Sequence, residues 1–201
     1  MFKVFNARVD MEEMRRAMIR MGYPMALSVG NISDDDRYID DLLPVAKRLG
    51  NAPGGLGHDK FLRQIPVSFD VLAERFWWAQ FDTYGIFTVK NSQSTMHKGK
   101  SLDYDKLADK YVDKGILEIF KRIVQEYNTE PTQENFMRVK ANLPEGICIA
   151  AGITTNYAQL KTIYTQRWNH RLPQWREFCK FITSLPYAME LGICTPKENK
   201  A

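Results

Sequence analysis

The sequence predicts a single α+β domain in which helices pack around a small mixed or antiparallel sheet. Several segments repeat apolar residues every three or four positions, as helices with one buried face do, and one segment alternates apolar and polar residues as a strand does. No internal repeat or low-complexity linker interrupts the 201 residues, so we expect one domain over residues 1–195 and a frayed tail over 196–201. The patterns indicate four to six helices and one or two strands.

Two helices are predicted in the first fifty residues. Asp10 and Glu13 resemble a capping box, and the methionines that follow at helical spacing predict a core-facing stripe that ends before Gly22. These methionines are Met11, Met14, Met18 and Met21. Pro44 suits the first turn of a second helix, which Gly50 closes.

The middle of the chain contains the clearest strand pattern. Residues 65–71, IPVSFDV, alternate apolar and polar side chains, which predicts a half-buried strand. Residues 73–87, AERFWWAQFDTYGIF, are dense in aromatic side chains and predict a buried helix. On either side, the glycine-rich residues 50–58 and the polar residues 91–101 predict loops.

The C-terminal half is predicted to be mainly helical. Apolar residues between positions 107 and 123 give a long helical pattern that is interrupted by a glycine, and a shorter helix follows over residues 132–141. Residues 143–153, LPEGICIAAGI, are predicted to form a strand or an irregular entry segment. A helix over residues 154–171 and a last helix after Pro173 complete the pattern, since the residue before a proline avoids the helical conformation.

Composition and cysteine content narrow the class of protein. No apolar run approaches about 18 residues and the N-terminal segment lacks an apolar core, so we expect neither a membrane span nor a signal peptide. Three scattered cysteines favour a reducing cytoplasm, and no CxxC or HExxH spacing predicts a metal site. The formal net charge of +4 permits an anionic partner such as a nucleotide but does not require one.

The predicted helix over residues 154–171 combines a core stripe with a polar flank. Its apolar residues recur at helical spacing and are Tyr157, Leu160, Ile163, Tyr164 and Trp168. At about 100° per residue, eleven positions bring Asn156 and Arg167 to within about 20° of each other, three turns apart, and Arg171 lies one turn further. Polar groups beside a core stripe are typical of a cleft wall, although arginines also extend from the edge of a core without any function.

Two basic residues are candidates for binding an anion or for stabilising one that develops during a reaction. Arginine suits both tasks because its guanidinium is planar, always charged and able to form paired hydrogen bonds, which makes Arg167 the first candidate. Lys140 is the second candidate. Trp77 and Trp78 either stack on a ring ligand or pack in the core, and the density of aromatic residues around them favours packing.

One stretch of the sequence resembles the flavin-dependent thymidylate synthase (ThyX) family. That family carries a basic residue, a Leu-Pro pair, an Asn-x-Arg at the start of a helix, and an arginine eleven residues after the asparagine. The matching residues in this chain are Lys140, Leu143-Pro144, Asn156 and Arg167, without gaps. Two further matches are Gln174-Trp175 after that arginine and His58 before the predicted strand.

The sequence departs from the family's pattern at two places. Near the position of the family's Arg-His-Arg signature this chain has Ala79-Gln80-Phe81, and Ala158 stands where the family's helix carries an arginine. The signature's later spacing is kept by Asn91, Ser94 and His97. Candidates to replace the lost cations are Arg63, Arg75, His97 and Lys98.

The resemblance implies a homotetramer that binds FAD and dUMP and transfers a methylene group from methylenetetrahydrofolate to the uracil C5, with NADPH as a candidate reductant. It implies that Arg167 is the catalytic residue, because the family's helix arginine contacts the pyrimidine and helps to activate it. The implied nucleotide-binding residues are Lys140, Arg167, Ser94, Gln80 and Gln93. The implied cofactor-binding residues are His58, Asn156, Gln80, Arg171 and His97.

Three hypotheses about function follow. The first is an enzyme that methylates or hydroxymethylates C5 of a pyrimidine nucleotide such as dUMP. The second is a ThyX-like protein that binds nucleotide or flavin without catalysing the reaction, and the missing Arg-His-Arg favours it. The third is a nucleic-acid-binding module, which is supported by the positive net charge and by the RWNHR segment at residues 167–171. The chain does not contain a long run of basic residues, which makes this hypothesis the weakest of the three.

Overall fold

The computed structural model describes residues 1–53, 56–95 and 101–194. It confirms the predicted α+β class, because helices accompany one four-stranded sheet. The strands are β1 (Lys3–Val9), β2 (Pro66–Glu74), β3 (Val89–Ser92) and β4 (Cys148–Asn156). They lie in the order β1-β2-β4-β3. The predicted frayed tail over residues 196–201 lies outside the described residues.

The described residues contain eight α-helices, more than the four to six that were predicted. They are α1 (Met11–Arg20), α2 (Ile39–Gly50), α3 (Arg75–Phe81), α4 (Tyr104–Leu107), α5 (Lys114–Thr129), α6 (Gln133–Asn142), α7 (Tyr157–Arg167) and α8 (Pro173–Thr183). Short 3₁₀ helices are formed by Tyr23–Met25, Ile32–Asp34, Lys60–Gln64 and Asp82–Tyr84.

Strands β2 and β4 run in opposite directions. The Tyr157 N–H donates to the Ile65 carbonyl over 3.1 Å, and the Arg75 N–H donates to the Ile147 carbonyl over 3.1 Å. The residue numbers therefore rise along one strand while they fall along the other, which is the antiparallel arrangement. The strand option for residues 143–153 is confirmed, although β4 begins and ends later in the chain than that segment.

The chain forms two compact units. The first contains Met1–Phe5, Asp70–Thr83 and the described residues of Lys90–Gly152. The second contains the described residues of Asn6–Phe69, Tyr84–Val89, and the described chain from Ile153 onward. The single domain over residues 1–195 stays a prediction, and each unit is described by itself below.

The first unit has a core between α5, α6 and the segment that leads into β4. Its buried residues are Tyr104, Leu117, Phe120, Ile123, Val124, Val139, Leu143 and Ile147. Helix α5 begins at Lys114 because the Asp113 side chain accepts hydrogen bonds from the N–H groups of Gly115 and Ile116. The predicted helical run from position 107 is therefore wrong before Lys114, since Asp113 caps the helix and the glycine lies in its first turn.

In the second unit, α1 packs against α2 and α7 packs against α8. Met14 and Met18 of the predicted methionine stripe are fully buried, whereas Met11 is exposed. The predicted start of α2 is wrong, because the helix begins at Ile39 and Pro44 lies inside it. Asp41 fixes that earlier start, since its carboxylate accepts a hydrogen bond from the Tyr38 N–H over 2.8 Å.

Two strands were missed in the sequence, and the reason is the same for both. Strands β1 and β3 lie at the two edges of the sheet. All four residues of β3 are exposed, so the strand has no alternation of apolar and polar residues to detect. The predicted loop over residues 91–101 is thus wrong at Asn91 and Ser92, which belong to β3.

Candidate functional site

Helix α7 is shorter than the predicted helix over residues 154–171. It begins at Tyr157 because Asn156, in an extended conformation, caps it with a side-chain oxygen that accepts a hydrogen bond from the Gln159 N–H over 2.9 Å. It ends at Arg167, and Arg171 lies beyond it. The prediction that Asn156, Arg167 and Arg171 align along one helix is therefore wrong, because only Arg167 is helical.

The Arg167 side chain is held in place by two aromatic residues. Its Nε donates a hydrogen bond to the Tyr84 hydroxyl over 2.7 Å, and that hydroxyl donates to the Gln166 side-chain oxygen over 2.8 Å. The guanidinium also lies over the Trp175 ring, 4.8 Å from its centroid, and 5.6 Å from the centroid of Tyr84. Both rings are buried, so they fix the direction in which this cation points.

Trp175 is positioned by the start of α8. Pro173 occupies the first turn of that helix, where its missing N–H costs nothing. The Trp175 ring packs edge-on against Tyr84 with the centroids 5.9 Å apart. The neighbouring Gln174 side-chain oxygen is buried and has no hydrogen-bond partner among the described residues.

A cleft of about 440 Å³ lies in the same unit. We call it the Asn156 cleft, and its walls include Arg63, Gln64, Phe87, Thr88, Thr155 and Asn156. The hydroxyls of Thr88 and Thr155 are 3.0 Å apart, so one donates to the other. Glu13 also lines the cleft, and its carboxylate is paired with Arg16 at 3.3 Å. The cleft therefore combines an aromatic ring, amides, hydroxyls, a cation and a carboxylate.

A chain of hydrogen bonds leads from the Asn156 cleft to Arg167. Asn156 accepts from the Gln159 backbone, and the Gln159 side-chain nitrogen donates to the Tyr84 carbonyl over 3.4 Å. Tyr84 in turn accepts from Arg167. These hydrogen bonds connect Asn156 at the start of α7 with Arg167 at its end through Gln159 and Tyr84.

Another cleft in the second unit, of about 650 Å³, is lined by residues of the segment between α1 and α2. Its walls carry Asp34, Asp35 and Asp36. Its cation, Arg37, is already paired with Asp35 at 2.5 Å. A phosphate would be repelled by this concentration of carboxylates, so the cleft does not suit a nucleotide.

The first unit contains a separate pair of cations. The Lys140 ammonium donates to the Thr95 hydroxyl over 2.8 Å. The Arg75 guanidinium donates to the Leu143 carbonyl over 2.7 Å and lies 3.2 Å from the Glu145 carboxylate. Burial and the positive charge of Arg75 lower the pKa of Lys140. An anion bound here would relieve that repulsion.

The remaining predicted nucleotide residues, apart from Arg167, also lie in the first unit. The Gln93 side-chain oxygen accepts a hydrogen bond from the Ala150 N–H over 3.0 Å, which ties it to β4. Ser94 follows it and is half-buried. Gln80 is half-buried on α3.

Three of the predicted cofactor residues in the described part of the chain, namely His58, Arg171 and Gln80, are not among those that line the Asn156 cleft. His58 is exposed in a turn, and Arg171 is exposed beyond the end of α7. His97 lies outside the described residues. Their predicted roles stay predictions.

Part of the segment Ala79-Gln80-Phe81, which lies near the position of the family's Arg-His-Arg signature, is buried in the core. Phe81 is 1% exposed and stacks on Trp77 with the ring centroids 5.0 Å apart. Trp78 is also buried, and its indole N–H donates to the Ile149 carbonyl over 2.9 Å. The two tryptophans therefore pack in the core, as favoured from the sequence, and the position of Phe81 cannot present a cation to a ligand.

The described residues contain no group of three or more His, Cys, Asp or Glu side chains arranged to hold a metal ion. None of the described helices is both long and apolar enough to span a bilayer. The three cysteines are free and buried, and burial raises the pKa of Cys148 to about 11 and that of Cys179 to about 12.

Tyr84 and Phe87 are two of the site residues that the sequence did not reveal. Both lie in the segment 73–87 that was predicted to be one buried helix, whereas α3 ends at Phe81. The glycine that follows Tyr84 is the one local signal for that break, because glycine commonly ends a helix.

Comparison with known structures identifies the fold. No protein-family model and no curated protein matches the sequence. A crystal structure of thymidylate synthase X (ThyX) from Helicobacter pylori with FAD and dUMP superposes with a TM-score of 0.63 at 12% identity, covering 96% of this chain and 97% of that one. A second structure of the enzyme from Helicobacter pylori, also with FAD and dUMP, gives a TM-score of 0.66 at 12% identity and covers 95% and 97%.

A third solved structure extends the comparison. The UMP/dUMP methylase PolB from Streptomyces cacaoi, bound with 5-Br dUMP, gives a TM-score of 0.62 at 11% identity and covers 96% of this chain and 92% of that chain. The similarity covers nearly the whole chain in all three cases. The protein therefore has the ThyX fold, as the resemblance of its sequence implied.

Proposed function

We propose that the protein transfers a one-carbon group to C5 of a pyrimidine nucleotide, dUMP or a close relative, using methylenetetrahydrofolate and FAD. The observation that carries this proposal is the Arg167 guanidinium, which Tyr84 and Trp175 hold in one orientation. The fold supports it, because the solved structures that share the fold contain dUMP or 5-Br dUMP. NADPH as the reductant and a homotetrameric assembly are part of the same proposal.

The chemistry requires a fixed cation at the pyrimidine. C5 forms a bond to the donor carbon as that carbon's bond to a folate nitrogen breaks, and the C5 proton is lost afterwards. C5 becomes nucleophilic enough for this step when N3 loses its proton, which places negative charge on N3 and on the neighbouring ring carbonyl oxygens. A guanidinium that is already oriented stabilises this charge without reorganising, and one such interaction contributes about 3 kcal/mol. Arg167 has that property, since its Nε is held by Tyr84 and its plane lies over Trp175.

The residues of the Asn156 cleft fit a flavin. Phe87 offers a ring face, Asn156 and Gln64 offer amide groups, and Arg63 offers a cation. Bound FAD would supply the hydride that completes a methyl group. Arg63 is also one of the cations proposed to compensate for the missing Arg-His-Arg, and its place in the cleft wall supports that role.

Lys140 and Arg75 are proposed to bind the nucleotide phosphate. Lys140 already donates to Thr95, and a phosphate oxygen beside that hydroxyl would meet two donors. Arg75 contributes charge nearby, as its lowering of the Lys140 pKa indicates. Gln93 and Ser94 adjoin this segment and are proposed to contact the nucleotide.

A second candidate function is binding of nucleotide or flavin without turnover. The burial of Phe81 favours it, because that position can no longer present an arginine-like group. Ala158 on α7 removes another cation that the family carries. If this hypothesis is correct, the protein binds dUMP and FAD but gives no C5 product.

An absorbance titration tests the first proposal. The purified protein is mixed with FAD and the flavin spectrum is recorded before and after dUMP or UMP is added. We expect protein-bound flavin whose spectrum shifts with nucleotide, a weaker shift for Arg167→Gln, and no change for the exposed control Arg48→Gln. A protein that takes up no FAD and binds no pyrimidine nucleotide would exclude both candidate functions.

A further inference from the structure

We infer that Phe87 is the stacking residue of the Asn156 cleft, and that this cleft takes a planar heterocycle with lactam edges. The isoalloxazine of a flavin and the pterin of a folate share that chemistry. The inference rests on the proposed function, and it adds a ligand-contacting residue that is not one of the residues matched to the ThyX family. Three features of the described structure carry it: the exposure of the ring, the backbone conformation of Phe87, and the polar groups around it.

The Phe87 ring is exposed although phenylalanine is among the side chains that folding most often buries. Its exposed fraction is 61%, and the ring belongs to the wall of the cleft. The preceding residue, Ile86, is 72% exposed but is not among the residues that line the cleft. A flat ligand in the cleft would cover the Phe87 ring and gain both buried area and an aromatic contact.

The backbone at Phe87 is strained. Its φ angle is +56°, in the left-handed region that bulky side chains rarely adopt. Such a conformation persists only where the surroundings impose it, and it is common at ligand-binding positions. Here the Thr88 N–H donates to the Gly85 carbonyl over 3.3 Å, and the Thr88 hydroxyl bonds to that of Thr155. These two contacts hold the turn that presents the ring at the cleft.

The other groups in the cleft match the edge of a lactam heterocycle. The side-chain oxygens of Asn156 and Gln64 accept hydrogen bonds from the Gln159 backbone and from Arg20, so their N–H groups are the ones that can donate to the C=O groups of such a ring. The hydroxyls of Thr88 and Thr155 in the same cleft can accept from its N–H groups. Arg63 attracts the phosphate or carboxylate that flavin nucleotides and folates carry, while Glu13 repels it and is partly neutralised by Arg16. A volume of about 440 Å³ is at the smaller end of ligand pockets and suits one ring system.

A competing explanation is contact with a second copy of the chain. Ile86 and Val89 are exposed on either side of Phe87, so the three apolar residues together could pack against another molecule. That explanation requires all three side chains, whereas a stacked ligand requires Phe87 and not Ile86. The two therefore predict different effects for substitutions at Phe87 and Ile86.

Ligand titrations of matched variants test the inference. Dissociation constants for FAD, tetrahydrofolate and dUMP are measured with the wild type, Phe87→Ala, Phe87→Trp and the control Ile86→Ala. We expect Phe87→Ala to weaken either FAD or tetrahydrofolate by about tenfold, Phe87→Trp to retain that affinity, and Ile86→Ala to match the wild type. Loss for FAD assigns the cleft to the flavin ring, and loss for tetrahydrofolate assigns it to the pterin.

The result that overturns the inference is distinct from failure of the proposed function. If the wild type binds FAD and dUMP but Phe87→Ala binds FAD and tetrahydrofolate as tightly as the wild type, Phe87 is not a stacking residue. If Phe87→Ala and Ile86→Ala both change only the size of the assembly in gel filtration, the surface is a contact between copies. Phe87→Gly checks folding: it relieves the strained φ, so we expect its unfolding temperature to be no lower than that of the wild type.

Discussion

Replacing Tyr84 with phenylalanine removes one oxygen atom and leaves a ring that is 6% exposed in the wild type. That oxygen accepts the Arg167 Nε hydrogen bond at 2.7 Å and donates to Gln166 at 2.8 Å. A hydrogen bond to a charged group contributes about 1.5–3 kcal/mol, and the half-buried position of Arg167 favours the lower part of that range. We therefore expect Tyr84→Phe to lower the free energy of unfolding by about 2 kcal/mol.

The larger effect is expected on catalysis. Arg167 would keep its stacking on Trp175 but lose the bond that fixes its rotation, and small misplacements of a catalytic group cost up to about a hundredfold in rate. Because the proposed role of Arg167 concerns charge that develops only during the reaction, kcat and kcat/KM should fall together by roughly 10–100-fold. The KM for the nucleotide should change little.

Steady-state kinetics and thermal unfolding measure both effects. Tyr111→Phe is the matched control, since that side chain is 83% exposed and its loss of a hydroxyl should change neither quantity. In the double variant with Arg167→Gln, the Tyr84 substitution should cost nothing further in kcat. A Tyr84→Phe variant with wild-type kcat, beside an inactive Arg167→Gln variant, would refute the argument that Tyr84 positions Arg167.

Three further predictions concern single residues. The Lys140 amine binds a phosphate through its charge only when it is protonated, and its pKa is lowered. The affinity for dUMP should therefore be complete below that pKa and fall as the pH rises through it, whereas the Lys140→Arg variant should keep its affinity over the same pH range. Equal pH profiles for the two proteins would contradict this prediction. The Gly50→Ala substitution places a Cβ atom 2.3 Å from the Leu191 carbonyl oxygen, so we expect it to lower the free energy of unfolding by about 2 kcal/mol or more, as measured by thermal unfolding. A Cβ atom at Gly30 would meet nothing within 4 Å, so the control Gly30→Ala should leave the free energy of unfolding nearly unchanged. Because all three thiols are buried, a thiol reagent should modify the native protein only as fast as it unfolds; rapid modification of any cysteine would show that it is accessible.

Periodicity was sufficient for the elements that bury one face. The patterns identified α1, β2 and α8, because each of these elements has a regular succession of buried residues. Helix α6 was also identified, although Val139 is its one buried residue. Periodicity was insufficient for β1 and β3, which lie at the two edges of the sheet. Strand β3 buries none of its residues. The patterns also joined Thr154–Asn156 to the following helix, since they did not show that the asparagine is a cap.

The candidate site was predicted in part. Asn156 and Arg167 were identified from one stretch of chain in which their spacing is visible. Tyr84 was not, because it lies 83 positions from Arg167 and their contact exists only after folding. Phe87 was missed for a different reason: a run of aromatic residues looks like core until the break after Phe81 is known.

The central claim is that this chain modifies a pyrimidine nucleotide at C5. It is tested most directly by incubating the protein with dUMP, methylenetetrahydrofolate, FAD and NADPH, and by measuring the mass of the nucleotide, with Arg167→Gln as the inactive control. The account predicts a nucleotide heavier by one methyl or one hydroxymethyl group with the wild type and unmodified dUMP with the variant. Unmodified dUMP and UMP with a wild-type protein that binds flavin and nucleotide would contradict it.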